Sequence, residues 1–228
     1  MRAPAAAAAE SAVEFFPGLS TLAIVRHGFV GRIPGIDVVT DRTEALARLD
    51  AAHRTIRAAP GFAKKPLATA EQVHGNEIAV VDAPLPGDRC FDGVDGLVTN
   101  QPRVSLGIYV ADCCAVFLVD PVRRSIGLVH SGRKGTEFAI VERAIRKMRD
   151  HFGSEPQDLI AQLSPCIRPP HYEIDFAAEI VSQVRAAGVE KIYDAGRCTA
   201  CDLSRYYSYR AEKARTGRML ALLALLSD

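Results

Sequence analysis

The spacing of hydrophobic positions changes along the chain, and each change marks an element. Residues 22–25 are a short apolar run that reads as a strand. Gly28, Gly31, Pro34 and Gly35 then punctuate residues 27–39, which predicts a loop-rich segment. Asp41 or Thr43 offers a capping oxygen, and Leu46, Leu49, Ala52 and Ile56 follow at helical spacing until Pro60-Gly61 stops the helix. The middle of the chain alternates differently. Short β-branched runs at 78–81, 96–99, 104–110, 115–119 and 125–129 are separated by Gly, Pro, Asp or Asn, the signature of strands. After His130 the period lengthens. Phe138, Val141, Ile145, Met148 and Phe152 share one helical face, with Thr136 as N-cap and Gly153 as stop. Residues 159–163 read as a strand. Phe176, Ile180, Val184 and Ala187 read as a second amphipathic helix ending at Gly188, residues 189–193 as a strand, and the Leu/Ala-rich run 216–226 as a final apolar helix.

A strand-rich middle with helices on either side favours the α+β class, or a mixed sheet covered by helices, over regular βαβ alternation. The chain shows no internal repeat, no low-complexity linker and no clean boundary, so a single domain over residues 1–228 is expected, with residues 1–18 as an arm. Ala5 to Ala9 lack the Leu/Val/Phe-rich centre of a secretory signal and read as a frayed terminus.

Composition narrows the function. With 228 residues the chain can bury a full core without staples. A net charge of +1, from 28 basic and 27 acidic side chains, offers no field for nucleic acid or a membrane, although a local arginine cluster can still take a small anion. The longest apolar stretch, 219–226, is far shorter than the ~20 residues of a membrane span. A cytoplasmic location is expected, where the six cysteines serve metal ligation, nucleophilic chemistry or burial more readily than disulfides.

Three residues share a setting. His74 precedes a strand in Glu71-Gln72-Val73-His74-Gly75, Cys113 follows one in Val110-Ala111-Asp112-Cys113, and His130 ends one in Val129-His130-Ser131-Gly132. Strand ends are rigid and their loops open, which suits a site. Two imidazoles and a thiolate suit zinc, and three protein ligands leave a fourth position for water or substrate; copper accepts similar ligands. The ordinary alternative is a buried, hydrogen-bonded His and a Cys acting as a small hydrophobe. Cys198-Thr199-Ala200-Cys201 is a lone C-x-x-C: structural thiols, a redox pair or half a zinc site. Ser131-Gly132-Arg133-Lys134-Gly135-Thr136 combines two glycines, two cations and a helix start, which favours an anion; a solvated basic turn is the alternative. Arg32, and Arg210 in Tyr206-Tyr207-Ser208-Tyr209-Arg210, are further candidate anion clamps.

These motifs, in this order, resemble the YfiH-like, laccase-domain family, also called multicopper polyphenol oxidase or peptidoglycan editing factor. The resemblance runs from about His27 to the C-terminus. It is carried by Gln72 to Gly75, Asp95-Gly96-Leu97-Val98-Thr99, Ala111 to Cys113 and His130 to Thr136. It continues through Ser164-Pro165-Cys166-Ile167, Tyr172-Glu173-Ile174, Cys198-Thr199, Tyr206 to Arg210 and Thr216-Gly217-Arg218. It implies an α+β fold with a layered mixed β-sheet core flanked by α-helices, similar to certain toxin deamidases with a Cys–His pair, and zinc at His74, Cys113 and His130. It also implies a purine nucleoside phosphorylase acting on adenosine, inosine or methylthioadenosine with phosphate, together with adenosine deaminase activity.

On that reading Cys113, His130 and Asp112 are the catalytic candidates, and Arg32, Lys134 and Arg210 the phosphate candidates. Small molecules are the expected partners, with no nucleic acid and no membrane. Three departures stand out: the family's Trp-Arg is Arg133-Lys134, its Gly before Pro is Ser164, and its N-terminal stretch is abbreviated to residues 30–35. Loss of the Trp removes a flat face beside the metal site and bears on nucleoside specificity more than on metal binding. The alternatives are a Cys–His hydrolase or amidase acting on a cell-wall precursor, and a non-catalytic zinc-binding protein. A copper oxidase is the weakest reading, because one such site lacks the many His ligands that multicopper chemistry requires.

Overall fold

Strand β8 (Cys114–Asp120) explains the architecture. Its alternate residues Ala115, Phe117 and Val119 face one apolar core, and Cys114, Val116 and Leu118 face another. A strand covered on both faces carries no polar positions to break its run. The first core lies between two six-stranded mixed sheets, and the second lies between one of those sheets and a layer of helices.

The computed structural model of the protein describes residues 10–227, so the Ala5 to Ala9 run lies outside the described residues. In chain order the elements are β1 (Val13–Glu14), α1 (Pro17–Ser20), β2 (Val25–Val30), α2 (Arg42–Arg57), β3 (Leu67–Ala70) and β4 (Ile78–Val81). They continue with β5 (Arg89–Phe91), β6 (Gly96–Thr99), β7 (Ser105–Val110), β8 (Cys114–Asp120), β9 (Ser125–Ser131), α3 (Arg133–Glu137) and α4 (Ile140–Phe152). Last come β10 (Ile160–Leu163), α5 (Phe176–Ala186), β11 (Lys191–Asp194) and β12 (Met219–Leu225). One sheet runs β1-β2-β12-β7-β3-β5 and the other β11-β10-β8-β9-β6-β4. Helix α4 lays Val141, Ala144, Ile145 and Met148 on the second sheet, and α5 adds Phe176, Ile180 and Val184. Helix α2, capped by Asp41 accepting from Glu44 N–H, buries Ala45, Leu49 and Ile56 in the first core.

The α+β layering therefore follows the pattern of the sequence, but several elements depart from it. The run 216–226 is not a helix. Seven of its residues form β12, buried throughout and hydrogen-bonded to β2 on one edge and β7 on the other. A fully buried strand has the same featureless polarity as a buried helix, so only its two partners decide between them. Segment 27–39 is not all loop. β2 continues through Gly28 to Val30, and a Cβ at Gly28 would lie 3.0 Å from Val13 Cγ1, so the glycine lets β1 lie close beside it. That pairing also draws Val13 and Glu14 out of the expected arm into β1, and Pro17 and Gly18 open α1.

The helix after His130 is interrupted. Ala139 takes a left-handed φ of 51° between α3 and α4. Thr136 does not cap: it lies inside α3, donating its hydroxyl to Gly132 O, and Phe138 is exposed. β1, β3 and β5 are short strands that the pattern did not announce.

Candidate metal centre

Strand register brings the chemistry together. In the β8–β9 ladder Cys114 pairs with Ser131 and Ala115 with His130. Cys113, one residue before β8, therefore meets the turn after His130. The approach is close enough to exclude a side chain: a Cβ at Gly132 would collide with Cys113 Sγ. On the other flank, β6 pairs with β9, and His130 N–H donates to Asp95 O at 2.7 Å. The fully buried Asp95 carboxylate then organises the centre. Oδ1 accepts from His130 Nδ1 at 2.8 Å and from His74 N–H at 2.9 Å, and Oδ2 accepts from Gly75 N–H at 2.7 Å.

The outcome is one cluster. The ligand-capable atoms of His74, Cys113 and His130 all lie within 4.8 Å of one another, the His74 and His130 rings 4.9 Å apart and nearly perpendicular at 79°. Because Asp95 holds His130 Nδ1, it is Nε2 that faces the cluster, the arrangement by which a carboxylate orients a metal-binding imidazole. The donor set of two nitrogens and one sulfur fits a borderline-soft cation with an open coordination position. Backbone strain accompanies it: Gln72, His74 and Asp112 have φ of 66°, 62° and 81°, unusual for side-chain-bearing residues and typical of sites whose surroundings over-determine them.

The electrostatics are those of an ion pair. Burial alone raises the Cys113 thiol, but the charge of His130 and hydrogen bonds from both imidazoles bring it down to about 6. Burial likewise opposes charge on His130, and the facing Cys113 and Asp95 reverse it, raising the imidazole to about 9. Asp95 is held below the usual carboxylate range: burial works against this, and His130 and the two backbone N–H groups prevail.

The cluster opens into a cavity of about 570 Å³ lined by Arg42, Arg133, Lys134, Arg210 and Arg218, with Tyr109, Tyr172, Phe176 and Tyr209. Lys134 and Arg210 thus share the pocket with the cluster. Arg210 forms an ion pair with Glu173 at 3.3 Å and lies over the Tyr172 ring. Asp112 also lines it, but both its oxygens are engaged, one by Thr199 Oγ1 and the other by Arg210 N–H, each at 2.7 Å. Arg32 does not line this cavity. Its guanidinium pairs with Glu212 at 2.7 Å, donates to Tyr206 O and covers Tyr207. Cys198 and Cys201 stand outside the cluster on a tight turn, where Cys201 N–H donates to Cys198 O.

Sequence reasoning missed Asp95, Arg42 and Arg218. Asp95 and Arg218 sit inside motifs already singled out, Asp95-Gly96-Leu97-Val98-Thr99 and Thr216-Gly217-Arg218, but spacing gave neither a partner.

Two face-to-face mixed sheets with a Cys–His cluster at an open pocket define a layered α+β protein with a metal-capable centre. The chain belongs to the family described as multi-copper polyphenol oxidoreductase laccase, whose model matches residues 31–179 and 174–226. It is 32% identical to a purine nucleoside phosphorylase of Deinococcus radiodurans, covering 92% of this chain and 94% of that one. It is 28% identical to the purine nucleoside phosphorylase YlmD of Geobacillus stearothermophilus, covering 90% and 88%. The crystal structure of YlmD from Geobacillus stearothermophilus superposes with a TM-score of 0.74 at 25% identity, over 93% of this chain and 94% of that one. A Neisseria meningitidis protein shares the fold, with a TM-score of 0.75 at 21% identity over 90% and 96%.

Proposed function

We propose that the protein is a zinc-dependent purine nucleoside phosphorylase acting on adenosine, inosine or methylthioadenosine with phosphate, with adenosine deamination as a secondary activity of the same pocket. One observation carries the reading: two imidazoles and a thiol converge within 4.8 Å at the floor of a cation-lined cavity. The names of relatives 32% and 28% identical supply the substrate class. As part of this reading residues 1–228 act as one domain in the cytoplasm on small molecules. Among the described residues no helix is long and apolar enough to cross a membrane. Copper is the lesser choice of metal, because the described residues offer one such cluster.

In phosphorolysis a phosphate oxygen bonds to the ribose anomeric carbon as the glycosidic bond breaks, and the purine leaves with the bonding pair and takes up a proton. Positioning and charge neutralisation dominate such a step. Lys134 and Arg210 belong to the cationic lining of the cavity that takes the phosphate, and the aromatic wall of Tyr172 and Phe176 flanks the purine. Asp112 is a positioning residue, fixing the Arg210 backbone and the strained turn before Cys113. Asp95 fixes the His130 tautomer. When bound, zinc supplies Lewis acidity for a substrate oxygen or an activated water.

A second reading is favoured by the Asp95–His130–Cys113 chain itself, which has the order of an orienting acid, a base and a thiolate nucleophile. A metal-free Cys–His hydrolase would be inactivated by iodoacetamide and indifferent to chelators. The phosphorylase should contain zinc, lose phosphate-dependent nucleoside cleavage on chelation and regain it with zinc. Bound zinc with no turnover of any of the three nucleosides would leave a non-catalytic zinc protein. Full activity and zinc content in Cys113→Ala would reject the site.

A further inference from the structure

The pocket's cations fall into two groups. Arg133 pairs with Glu137 at 2.9 Å and Arg210 with Glu173 at 3.3 Å, so that side of the cavity supplies its own counter-charge. Arg42, Lys134 and Arg218 differ. Among the described residues none of the three pairs with a carboxylate, although all line the cavity, and only the two arginines offer a guanidinium fork.

The two arginines are nevertheless held in place. One terminal nitrogen of Arg218 donates to Thr216 O and Gly217 O, each at 2.9 Å, and the guanidinium sits 5.8 Å from the Tyr209 ring centroid. The turn beneath is tight: buried Thr216 donates to Glu212, and a Cβ at Gly217 would lie 2.7 Å from the Tyr207 ring. Arg42 opens α2 and donates to Glu71 O at 3.1 Å. Burial first, and the nearby Arg42 second, both work against charge on Arg218. Two neighbouring guanidinium groups, neither in an ion pair with a carboxylate among the described residues, repel each other, and the fork of a guanidinium matches a tetrahedral oxyanion.

We infer that Arg42 and Arg218 form the pocket's phosphate-type oxyanion subsite, distinct from the self-compensated Arg133–Arg210 side. The inference deepens the proposed function and rests on the cavity being the substrate site. The bound group is free inorganic phosphate or a phosphate carried by a purine nucleoside 5′-monophosphate, since the chemistry at the two arginines is the same.

Isothermal titration of the purified protein with inorganic phosphate, and separately with adenosine 5′-monophosphate, tests it. Arg218→Gln should weaken the anion that binds by about tenfold or more, and exposed Arg42→Gln by several-fold. Arg218→Lys, which keeps the charge without the fork, should fall between, and it serves if Arg218→Gln does not fold. Binding of inorganic phosphate makes free phosphate the source; binding of the monophosphate alone makes the substrate the source. Binding within twofold of wild type in both Arg42→Gln and Arg218→Lys, with loss in Lys134→Gln, would overturn the subsite, as would no binding of either anion to the wild type. Arginine-dependent phosphate binding with no nucleoside cleavage would leave the subsite standing and remove the phosphorylase reading instead.

Discussion

His27 and His130 are equally hidden from solvent, 3% and 4% exposed, yet they carry opposite charge preferences. His27 lies between the sheets, stacked on Phe16 and edge-on to Phe117, with Nε2 accepting the Phe16 N–H at 2.7 Å. Burial, aided by Arg26, lowers its pKa to about 4. His130 suffers the same burial, but Cys113 and Asp95 raise it to about 9. Depth therefore does not decide the state of a buried imidazole here; the acids facing it do. One histidine is a core residue with a polar obligation met by backbone. The other is half of an ion pair within a cluster that could hold a metal ion.

Removing the thiolate should break that contrast most strongly. Cys113→Ala should abolish metal retention and lower phosphate-dependent nucleoside cleavage by about a thousandfold, while thermal unfolding stays cooperative; metal analysis and initial rates decide it.

Acid should act on the other side of the comparison. His27 and His53 both have folded pKa values of about 4, below the ordinary 6.5, with burial as the main cause. At these two positions the unfolded chain then binds more protons, so the contribution of the pair to stability is full above pH 6.5, falls as pH drops towards 4, and levels off below. Each imidazole contributes up to about 3 kcal/mol of that loss. Denaturant unfolding between pH 7 and 4 should show the slope, and His27→Gln should flatten it by roughly half. A pH-independent midpoint would contradict the burial argument.

Asp95→Asn keeps the shape beside His130 but removes the charge and disturbs the tautomer. Zinc affinity should fall about 10–100-fold, read by competition with a chelator, with secondary structure unchanged. The mildest change is Cys114→Ala, one residue from the cluster but facing the helix layer. It should cost about 1–2 kcal/mol of stability and leave zinc content and turnover intact. Loss of zinc in that variant would mean that the two faces of β8 are not separate.

The sequence by itself determined the α+β layering, the strand runs of the middle, the two amphipathic helices, and the identity of the clustered residues. His74, Cys113 and His130 were legible because strand ends next to small residues place side chains at an open edge, and Lys134 and Arg210 because cations beside turns stood out. Tertiary structure alone decided the rest. The run at Met219–Leu225 became a strand because β2 and β7 hydrogen-bond to both its edges, information that no local pattern contains. Asp95 gained its role because β6 lies beside β9, and Arg32 left the pocket because Glu212 claims it. Periodicity reports which face of an element is apolar. It cannot report which distant backbone or carboxylate will arrive there, and those arrivals set the charge and tautomer of His130 and the partners of Asp95.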